Sequence, residues 1–315
     1  MHLIGVLVGA MAGFWFATDM DKTLVFYPPE ASVPEGDTVI LPASSGTGKQ
    51  GFVGVETLEL LNEINQRLQG RTICVSGQRA ATMLLRCPFF PSISYWICEG
   101  GGRLFSRAGD TKGAAEVVED ESWGQRLYES ETSQDDANFG DALLVLKRYG
   151  DYVESLGAKV DARGLVTMIR IQLDGSPVGL ETAVSMLPTV LEYTFNLGYL
   201  DVSLRGINKK TAIALLLRER GGGAADKYLF MGDDDNDILA ASSSCEAYIA
   251  QPHSEKMELW LKNQGFVDSK DKNGVSVLDL EQNIFLNPRF VAVPAKKHHH
   301  GCALLLRMLL KRISS

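Results

Sequence analysis

The stretch Phe14-Trp15-Phe16-Ala17-Thr18-Asp19-Met20-Asp21-Lys22-Thr23 indicates how this chain is organised. Its first four residues are apolar, which is typical of a strand buried on both faces of a sheet. Two carboxylates and a hydroxyl follow directly. Open α/β folds place their functional groups at the carboxyl ends of parallel strands, so the sequence predicts a site at this point.

Asp19 and Asp21 have a spacing that lets two acids divide the work of a phosphoryl transfer. One carboxylate can attack phosphorus, while the other protonates the leaving oxygen and later deprotonates water. The alternative is a plain acidic turn that caps the next segment. The pair by itself leaves both interpretations open.

Strands and helices alternate along both halves of the chain. Apolar residues at three- and four-residue steps predict a helix over 55–68, and a short apolar run predicts a buried strand at 72–75. The later half repeats this alternation, which indicates the α/β class with a doubly wound, Rossmann-like parallel sheet. Its predicted elements are strands at 199–204, 227–231 and 247–250, a helix at 209–220 and a helix from about Ser254.

The middle of the chain has a different character, with acidic loops, two helices and a strand around 165–173. We interpret it as an inserted α/β domain. The C-terminal segment is basic and amphipathic, and core docking, a partner helix or contact with a membrane surface are all open for it, in that order. The expected units are a discontinuous core of 1–86 and 199–290, an inserted domain of 87–198 and a tail of 291–315.

A second acidic cluster, Gly232-Asp233-Asp234-Asp235-Asn236-Asp237, also follows an apolar strand. Hard oxygen ligands concentrated in this way suit Mg²⁺. A solvated acidic turn is the simpler alternative. An EF-hand calcium loop is a rival, but Ile238 stands at its sixth position and Ser244 at its twelfth, where glycine and glutamate are expected.

Two weaker signals lie at other strand ends. Ser76 and Gly77 follow the strand at 72–75, where a hydroxyl and backbone N–H groups can meet a phosphoryl oxygen, although a serine there is more often a helix cap. Lys209 opens a helix and could pair with a phosphoryl group and a carboxylate. Taken alone, such a lysine is usually a solvated surface residue.

Composition excludes several classes of protein. A net charge of −8 over 315 residues argues against sequence-independent nucleic-acid binding. Five cysteines without a CxxC pair argue against a disulfide framework or a zinc knuckle. The apolar run at 3–17 is too short for a confident membrane span, so we expect no stable membrane insertion and a cytoplasmic protein, with targeting to an organelle as the alternative.

The four groups occur in one order at successive strand ends, and this pattern resembles the haloacid dehalogenase superfamily. The resemblance covers about 14–86 and 199–252 and is most specific at the first and fourth motifs. The position of the insert and the Gly-Asp-Asp-x-Asn-Asp form are similar to the subfamily with a large α/β cap, which includes sucrose-phosphate, mannosyl-phosphoglycerate and trehalose-phosphate phosphatases. The matching residues are Asp19, Asp21 and Thr23, then Ser76, then Lys209, then Gly232 to Asp237.

The resemblance implies a mechanism and a cofactor. Asp19 would attack phosphorus, Asp21 would act as general acid and base, and Lys209 would neutralise developing charge. Thr23, Ser76 and the Gly77 backbone would hold phosphate oxygens. Mg²⁺ would be bound by a set of oxygen ligands: the Asp19 carboxylate, the Asp21 carbonyl and Asp233, with Asn236 and Asp237 in support.

The expected activity is therefore Mg²⁺-dependent hydrolysis of a small phosphomonoester, a sugar phosphate in particular, through an aspartyl-phosphate. A phosphosugar mutase and a non-catalytic phospholigand-binding protein are the alternatives. Lys22 stands where many relatives have glycine. Lys210 beside Lys209, where Lys-Gly is usual, leaves open which lysine serves.

Two features of the insert invite a functional interpretation. Glu99-Gly100-Gly101-Gly102 could be a hinge for cap closure, although a plain turn is the simpler interpretation. Trp123, Gln125 and Arg126 could contact a sugar by stacking and hydrogen bonding, although an isolated tryptophan is more often part of the core.

Overall fold

The computed structural model describes residues 13–28, 37–43, 48–108, 116–133, 137–196, 199–221, 227–250, 254–263, 290–292 and 298–314. Fourteen strands and nine α-helices lie in these ranges. The strands are β1 (Phe14–Thr18), β2 (Thr38–Leu41), β3 (Gly51–Gly54), β4 (Thr72–Val75), β5 (Tyr95–Cys98), β6 (Arg103–Arg107), β7 (Val117–Asp120), β8 (Lys159–Asp161), β9 (Met168–Gln172), β10 (Leu191–Asn196), β11 (Tyr199–Leu204), β12 (Lys227–Gly232), β13 (Glu246–Ile249) and β14 (Phe290–Ala292).

The helices match the apolar spacing of the sequence in most places. The predicted helices at 55–68 and 209–220 are confirmed within one residue. The helices are α1 (Val55–Arg67), α2 (Ala80–Arg86), α3 (Trp123–Glu131), α4 (Phe139–Ser155), α5 (Leu180–Ser185), α6 (Lys209–Arg220), α7 (Ile238–Ser243), α8 (Glu255–Asn263) and α9 (His298–Ser314).

The large sheet has the strand order β14-β13-β12-β1-β4-β5-β6-β7. The first six strands of this order are parallel, and β6 and β7 continue the sheet antiparallel. β1 lies between β12 and β4, so the acids that follow β1 emerge in the middle of the sheet's carboxyl edge. The predicted mostly parallel α/β sheet is confirmed.

The two faces of β1 belong to two different hydrophobic clusters. Phe16 packs in the cluster that contains residues of α1 and α9, whereas Trp15 and Ala17 pack in the cluster that contains residues of α6, α7 and α8. Successive side chains of a strand point to opposite faces, so helices cover both sides of this sheet. This is why the strand reads as a continuous apolar run instead of an alternating one.

The second sheet is antiparallel and has the order β10-β11-β9-β8. One of its faces packs on α4, with Ile169, Leu200 and Val202 in the same cluster as Leu146 and Val153. The alternation of elements predicts 199–204 as a strand of the parallel sheet, and that prediction is wrong. An isolated apolar run carries no information about which strand it will pair with, and β11 pairs with β10 and β9.

Sheet membership also differs from the expected limits of the insert. Residues 95–98, 103–107 and 117–120 pair within the large sheet, although they lie inside the range 87–198. The antiparallel pairing of β5 with β6 and of β6 with β7 is made by nearby segments of the chain. The division into a core domain and a cap domain stays a prediction. If it holds, these three strands belong with the core, because they pair in its sheet.

The C-terminal helix α9 packs against α1, which is the first of the three alternatives for the basic tail. Its apolar residues recur at three- and four-residue steps, and burying one such side chain contributes about 1.5–3 kcal/mol. The charged positions Arg307 and Arg312 face outward and pair with Glu56 and Glu246. The buried residues are Cys302, Ala303, Leu305, Leu306, Leu309, Leu310 and Ile313.

Two further expectations concern cysteines and membranes. All five cysteines lie in described segments as free thiols, and four of them are buried. Among the helices of the described ranges, none has the length and apolar content needed to cross a bilayer. The apolar run expected to be either strand or targeting segment lies at 3–17, and its residues 3–12 fall outside the described part of the chain.

Candidate active site

Asp19 lies directly after β1, at the centre of the carboxyl edge of the large sheet. Its backbone N–H donates to the carbonyl of Met231 at 2.8 Å, which extends the pairing of β1 with β12 by one residue. The side chain is buried, and its Oδ1 lies 3.0 Å from Lys209 Nζ. Burial raises the pKa of Asp19; the Lys209 charge lowers it, and the Asp237 carboxylate raises it again.

Asp237 holds the loop after β12 in place from within. Its Oδ2 accepts from the backbone N–H groups of Asp233 at 2.9 Å and Asp234 at 3.1 Å. A Cβ at Gly232 would lie 2.6 Å from the Asp237 carboxyl group, so only glycine lets this carboxylate approach the strand end. The acidic loop is therefore an internally hydrogen-bonded turn with buried carboxylates and not a solvated turn, and its role in binding a ligand stays a prediction.

Lys209 is the cation of this site. It opens α6 after the N-cap Asn208, is fully buried, and places Nζ 3.0 Å from Asp19 Oδ1 and 2.7 Å from Asp237 Oδ1. Burial opposes its charge, but the two carboxylates outweigh burial and raise the pKa of Lys209, so the ammonium stays protonated. Lys210 is exposed, so Lys209 is the lysine that contacts the site.

Three carboxylates converge within reach of a single ion. One ligand atom each from Asp19, Asp233 and Asp237 lies within 4.8 Å of the other two, and all three residues are buried. Burial raises the pKa of Asp233, and repulsion from the Asp19 carboxylate raises it further. Three buried carboxylates against one lysine leave an excess of negative charge, which a divalent cation would neutralise, and the hard oxygen donors fit Mg²⁺.

Two neighbours complete the acidic cluster. The Thr23 hydroxyl donates to Asp233 Oδ1 at 2.7 Å, so it orients a carboxylate; its expected contact with a phosphate oxygen stays a prediction. The buried Asn236 Oδ1 has no hydrogen-bond partner among the described residues, which is a costly state for an amide oxygen. A ligand bound beside it would supply that partner.

Asp21 lies in a different environment from Asp19 although only one residue separates them. Its side chain is 39% exposed, and its Oδ1 accepts from Arg86 Nη1 at 3.0 Å and from the Tyr27 hydroxyl. Burial and the Asp21 charge raise the pKa of Tyr27, so its hydroxyl keeps the proton that it donates. Lys22, which lies between Asp21 and Thr23 in the chain, has a φ of 61°, in the left-handed region that favours glycine.

Ser76 and Gly77 lie at the end of β4, the neighbour of β1. The Ser76 hydroxyl is buried and accepts from the Gln78 backbone N–H at 3.3 Å. Both side-chain polar atoms of Gln78 are buried without a partner in the described residues. A Cβ at Gly77 would lie 3.9 Å from Asn236 Nδ2, so this loop and the acidic loop face each other.

The second sheet turns a polar face toward the site. Directly opposite residues in a ladder share a face, and Thr194, Asp201 and Arg170 form one such row across three strands, while Glu192, Ser203 and Met168 form the next. We call these six residues the second-sheet face. Together with Gly77, Asn208, Lys209 and Asn236, five of them line a cleft of about 430 Å³ between the two sheets.

Arg170 is the member of the second-sheet face that reaches the opposite loop. Its guanidinium donates to both oxygens of Asp201, at 2.6 and 2.7 Å, and lies over the Tyr199 ring. One of its nitrogens lies 3.9 Å from the position a Cβ of Gly77 would take. A fork-to-fork pair of this kind fixes the arginine in one orientation.

The segment proposed as a hinge forms a packed turn. Glu99 is fully buried, and its Oε2 accepts from the N–H groups of Val166 and Thr167 and from the Thr167 hydroxyl, at 2.8, 2.9 and 3.0 Å. A Cβ at Gly101 would lie 2.8 Å from the carbonyl oxygen of Asn208. The turn ties the end of β5 to the entry of β9, and its role as a hinge stays a prediction.

The three residues suggested for sugar contact lie away from the cleft. Trp123 is fully buried and donates from Nε1 to the Gly101 carbonyl at 2.8 Å, which is the core role. Arg126 pairs with Asp120 and Glu219 on the surface. None of them lines the cleft.

Sequence reasoning missed Tyr27, Arg86 and Arg170. Arg86 and Arg170 lie in or beside predicted elements without a motif, and each reaches its partner across more than 30 positions of the chain. A lone arginine in a helix or strand carries no local signal of such a contact. Only the assembled fold identifies them.

Comparisons with known proteins come from structure alone, because neither the family models nor the curated proteins give a match to this sequence. A sucrose-phosphatase from Synechocystis, solved with sucrose and phosphate, aligns with a TM-score of 0.54 and 16% identity over 96% of this chain and 98% of its own. A Thermoplasma acidophilum protein aligns with a TM-score of 0.52 and 9% identity, over 95% and 98% of the two chains.

A third structure, described as showing a trigonal-bipyramidal intermediate in a phosphoryl-transfer superfamily, aligns with a TM-score of 0.54 and 14% identity. The alignment covers 96% of this chain and all of that one. At these identities the likeness establishes the fold. The predicted α/β fold is therefore shared with these structures, and membership of the haloacid dehalogenase superfamily stays a prediction.

Proposed function

We propose that this protein is a Mg²⁺-dependent phosphatase that hydrolyses a small phosphomonoester of the sugar phosphate class through an aspartyl-phosphate on Asp19. The observation that carries the proposal is the position of Asp19, a buried carboxylate at the sheet's carboxyl edge with Lys209 Nζ 3.0 Å away and two further carboxylates beside it. Burying several carboxylates together costs free energy of desolvation and repulsion, and clusters of this kind are typical of functional sites.

The first half-reaction forms a bond between an Asp19 oxygen and phosphorus as the bond from phosphorus to the substrate oxygen breaks. Asp21 gives its proton to that leaving oxygen, so the product departs as an alcohol. Lys209 offsets the negative charge that builds on the phosphoryl oxygens. A bound Mg²⁺, held by Asp19, the Asp21 carbonyl and Asp233 with Asn236 and Asp237 in support, would supply further charge neutralisation.

The second half-reaction returns the enzyme to its starting state. Asp21, now a carboxylate, takes a proton from water as the water oxygen attacks phosphorus and the Asp19–phosphorus bond breaks. Inorganic phosphate and both carboxyl groups are regenerated in their original protonation states. The loop of Ser76 and Gly77 would hold phosphoryl oxygens by its hydroxyl and N–H groups during both steps.

The leaving group would occupy the cleft under the second-sheet face. Four of the five residues by which that face lines the cleft, Glu192, Thr194, Asp201 and Ser203, carry hydroxyl or carboxylate groups, which suit a polyhydroxylated molecule. A volume of about 430 Å³ is in the range of small-molecule sites. The structural likeness to a phosphatase solved with sucrose and phosphate agrees with this assignment.

The test is phosphate release from a panel of sugar phosphates and 4-nitrophenyl phosphate, with and without Mg²⁺. We expect Mg²⁺-dependent release by the wild-type protein and a loss of about 10⁴-fold or more in Asp19→Asn, because an amide cannot act as the nucleophile. Asp151→Asn, which removes an exposed carboxylate on α4, is the matched control and should keep wild-type activity.

Two outcomes would contradict the proposal. Phosphosugar interconversion without net phosphate release would favour a mutase. Binding of Mg²⁺ and phosphosugars by the folded protein without any turnover would favour a phospholigand-binding protein.

A further inference from the structure

The side chain of Asp21 is held by two residues that do not belong to the acidic cluster. Arg86 Nη1 donates to Asp21 Oδ1 at 3.0 Å and lies 2.9 Å from the Tyr27 hydroxyl oxygen, and that hydroxyl donates to the same Asp21 oxygen. Asp21 Oδ1, Arg86 Nη1 and the Tyr27 hydroxyl oxygen therefore form a triangle in which each atom is within hydrogen-bond distance of the other two. None of the four sequence motifs includes Tyr27 or Arg86.

Arg86 is built into the core to make this contact. It is 0% exposed at the end of α2, its other nitrogens lie 3.4 Å from the Pro42 carbonyl, and its guanidinium packs beside the Tyr27 ring. A Cβ at Gly51 would come within 3.4 Å of Arg86 Nη2. Burying a guanidinium costs much free energy unless its N–H groups are paired. The loop that carries Asp21 and Tyr27 and the segment that carries Pro42 supply the partners of Arg86.

The loop that carries Asp21 is also fixed at the backbone. Lys22 N–H donates to the Val25 carbonyl at 2.6 Å, and the N–H groups of Leu24 and Val25 return to the Met20 carbonyl at 2.9 Å. The backbone positions Cα of Asp21, and Arg86 with Tyr27 then select the direction of its carboxylate. Without them, a carboxylate that is 39% exposed would sample several rotamers.

We propose that Arg86 and Tyr27 are positioning residues that hold Asp21 Oδ1, so that Oδ2 is the oxygen that exchanges a proton with the leaving group and with water. This inference rests on the proposed phosphatase function. Both described bonds go to Oδ1, which leaves Oδ2 with the open coordination that proton transfer requires. Arg86 and Tyr27 never touch the reacting atoms; they act through Asp21.

The chemistry gives this role a distinctive signature. A poor leaving group, such as the alkoxide of a sugar, needs the Asp21 proton as the bond to phosphorus breaks. 4-Nitrophenolate leaves readily without a proton, and phenolate is intermediate. Loss of positioning should therefore slow sugar phosphate turnover strongly, phenyl phosphate turnover less, and 4-nitrophenyl phosphate turnover least.

The experiment compares wild type, Tyr27→Phe and Tyr149→Phe on these three substrates in Mg²⁺. Tyr27→Phe removes one hydroxyl and leaves the ring that packs on Arg86. We expect kcat for the sugar phosphate hydrolysed fastest by wild type to fall by about 10- to 100-fold, a fraction of what general acid catalysis contributes, with KM nearly unchanged. The 4-nitrophenyl phosphate rate should fall by less than about threefold.

Tyr149→Phe is the matched control, because the Tyr149 hydroxyl is also hydrogen-bonded, to the Ala183 carbonyl at 2.7 Å, but lies in α4 away from the site. It should leave all three rates unchanged. Arg86→Lys keeps a cation near Asp21, so it should retain more sugar phosphate activity than Arg86→Met. Thermal melting establishes that each variant is folded.

An equal loss on all three substrates, or no loss on the sugar phosphate in Tyr27→Phe, would overturn the inference while leaving the proposed function intact. A wild-type protein that releases phosphate from none of them overturns both. A rise in KM together with a fall in kcat for every substrate would also contradict positioning, since it would indicate a general structural effect.

Discussion

The three buried carboxylates of the site and the second-sheet face differ in their burial and in the contacts that fix their side chains. We use acidic floor for Asp19, Asp233 and Asp237, which all follow strands of the large sheet and pack around buried Lys209. The second-sheet face comes from an antiparallel sheet, its charged pair Arg170–Asp201 is partly exposed, and Asp201 lines the cleft. The acidic floor is buried, and most of the second-sheet face lines the cleft.

Under the proposed function, this difference would separate catalysis from the choice of substrate. The acidic floor is fixed by backbone hydrogen bonds and by a glycine that admits no side chain, so its geometry tolerates few changes. The second-sheet face is a row of side chains on a regular ladder, where a substitution alters one contact and leaves the backbone unchanged. We therefore expect chemistry to depend on the floor and choice of substrate to depend on the face.

The strongest way to test the floor is to remove its cation. Lys209→Met leaves three buried carboxylates without the ammonium that lies between Asp19 and Asp237. We expect kcat in Mg²⁺ to fall by about 10²- to 10³-fold, the scale for losing one preorganised electrostatic group. The exposed neighbour gives the matched control, and Lys210→Met should change kcat by less than about twofold. Comparable losses in the two variants would contradict the assignment of Lys209.

The next test asks whether the floor holds a metal. Mg²⁺ at about 100 times its Kd should stabilise the protein by about 2.7 kcal/mol, seen as a higher melting temperature. Asp233→Asn should raise the melting temperature without metal, because it relieves repulsion and its amide oxygen can still accept from Thr23, but it should remove the Mg²⁺ shift. Glu63→Gln, an exposed change on α1, should keep the shift. A shift retained in Asp233→Asn would place the metal elsewhere.

A smaller effect is expected on the second-sheet face. Arg170→Met removes the guanidinium that reaches toward Gly77, and we expect kcat/KM for the preferred sugar phosphate to fall by about tenfold. The rate with 4-nitrophenyl phosphate, which lacks the sugar hydroxyls, should change much less. Arg163→Met, on an exposed arginine of the same half of the chain, is the control. Equal losses on both substrates would assign Arg170 to the chemistry instead of to selection.

The smallest effect concerns the link between the two regions. Asp161 on β8 accepts from Arg79, which precedes α2, and from Arg163. Burial opposes ionisation of Asp161, but the hydrogen bonds from Arg163 and Arg79 lower its pKa from 3.8 to about 2. Since the folded state has the lower pKa, the contribution is present above about pH 4 and is lost as the pH falls toward 2.

Asp161→Asn should therefore lower stability at pH 7 by no more than about 1 kcal/mol, because the pair is partly exposed. Melting temperatures of the wild type and the variant, measured from pH 7 to pH 3, should converge at the acid end. A difference that grows on acidification would show that the sign is wrong.

Most of the floor could be predicted from the sequence. Asp19, Asp233, Asp237 and Lys209 each directly follow or open a regular element, and the carboxyl ends of parallel strands converge. The choice between Lys209 and Lys210 needed the fold, because adjacent residues of a helix point in different directions by geometry. The orientation of Thr23 toward Asp233 was equally beyond a sequence argument.

The errors share one cause. Tyr199–Leu204 reads as a strand, and it is one, but its partners are β10 and β9 and not the parallel sheet. The sequence allows Trp123 to contact either a sugar or the core, and in the structure it is fully buried in the core. Apolar periodicity reports that a segment is buried and on which of its sides, while the identity of the covering segment is a property of the whole fold.

The sequence by itself determined the α/β class, the order of the motifs and the acids of the floor, because strand ends and glycine-limited turns are local features. Only the tertiary structure decided that α9 docks on α1, that Arg170 faces Gly77, and that Arg86 and Tyr27 hold Asp21. Except for the bond between Tyr27 and Asp21, which lie six residues apart, these contacts join segments that are distant in the chain. Their energy comes from burial and charge pairing that exist only after the chain has folded.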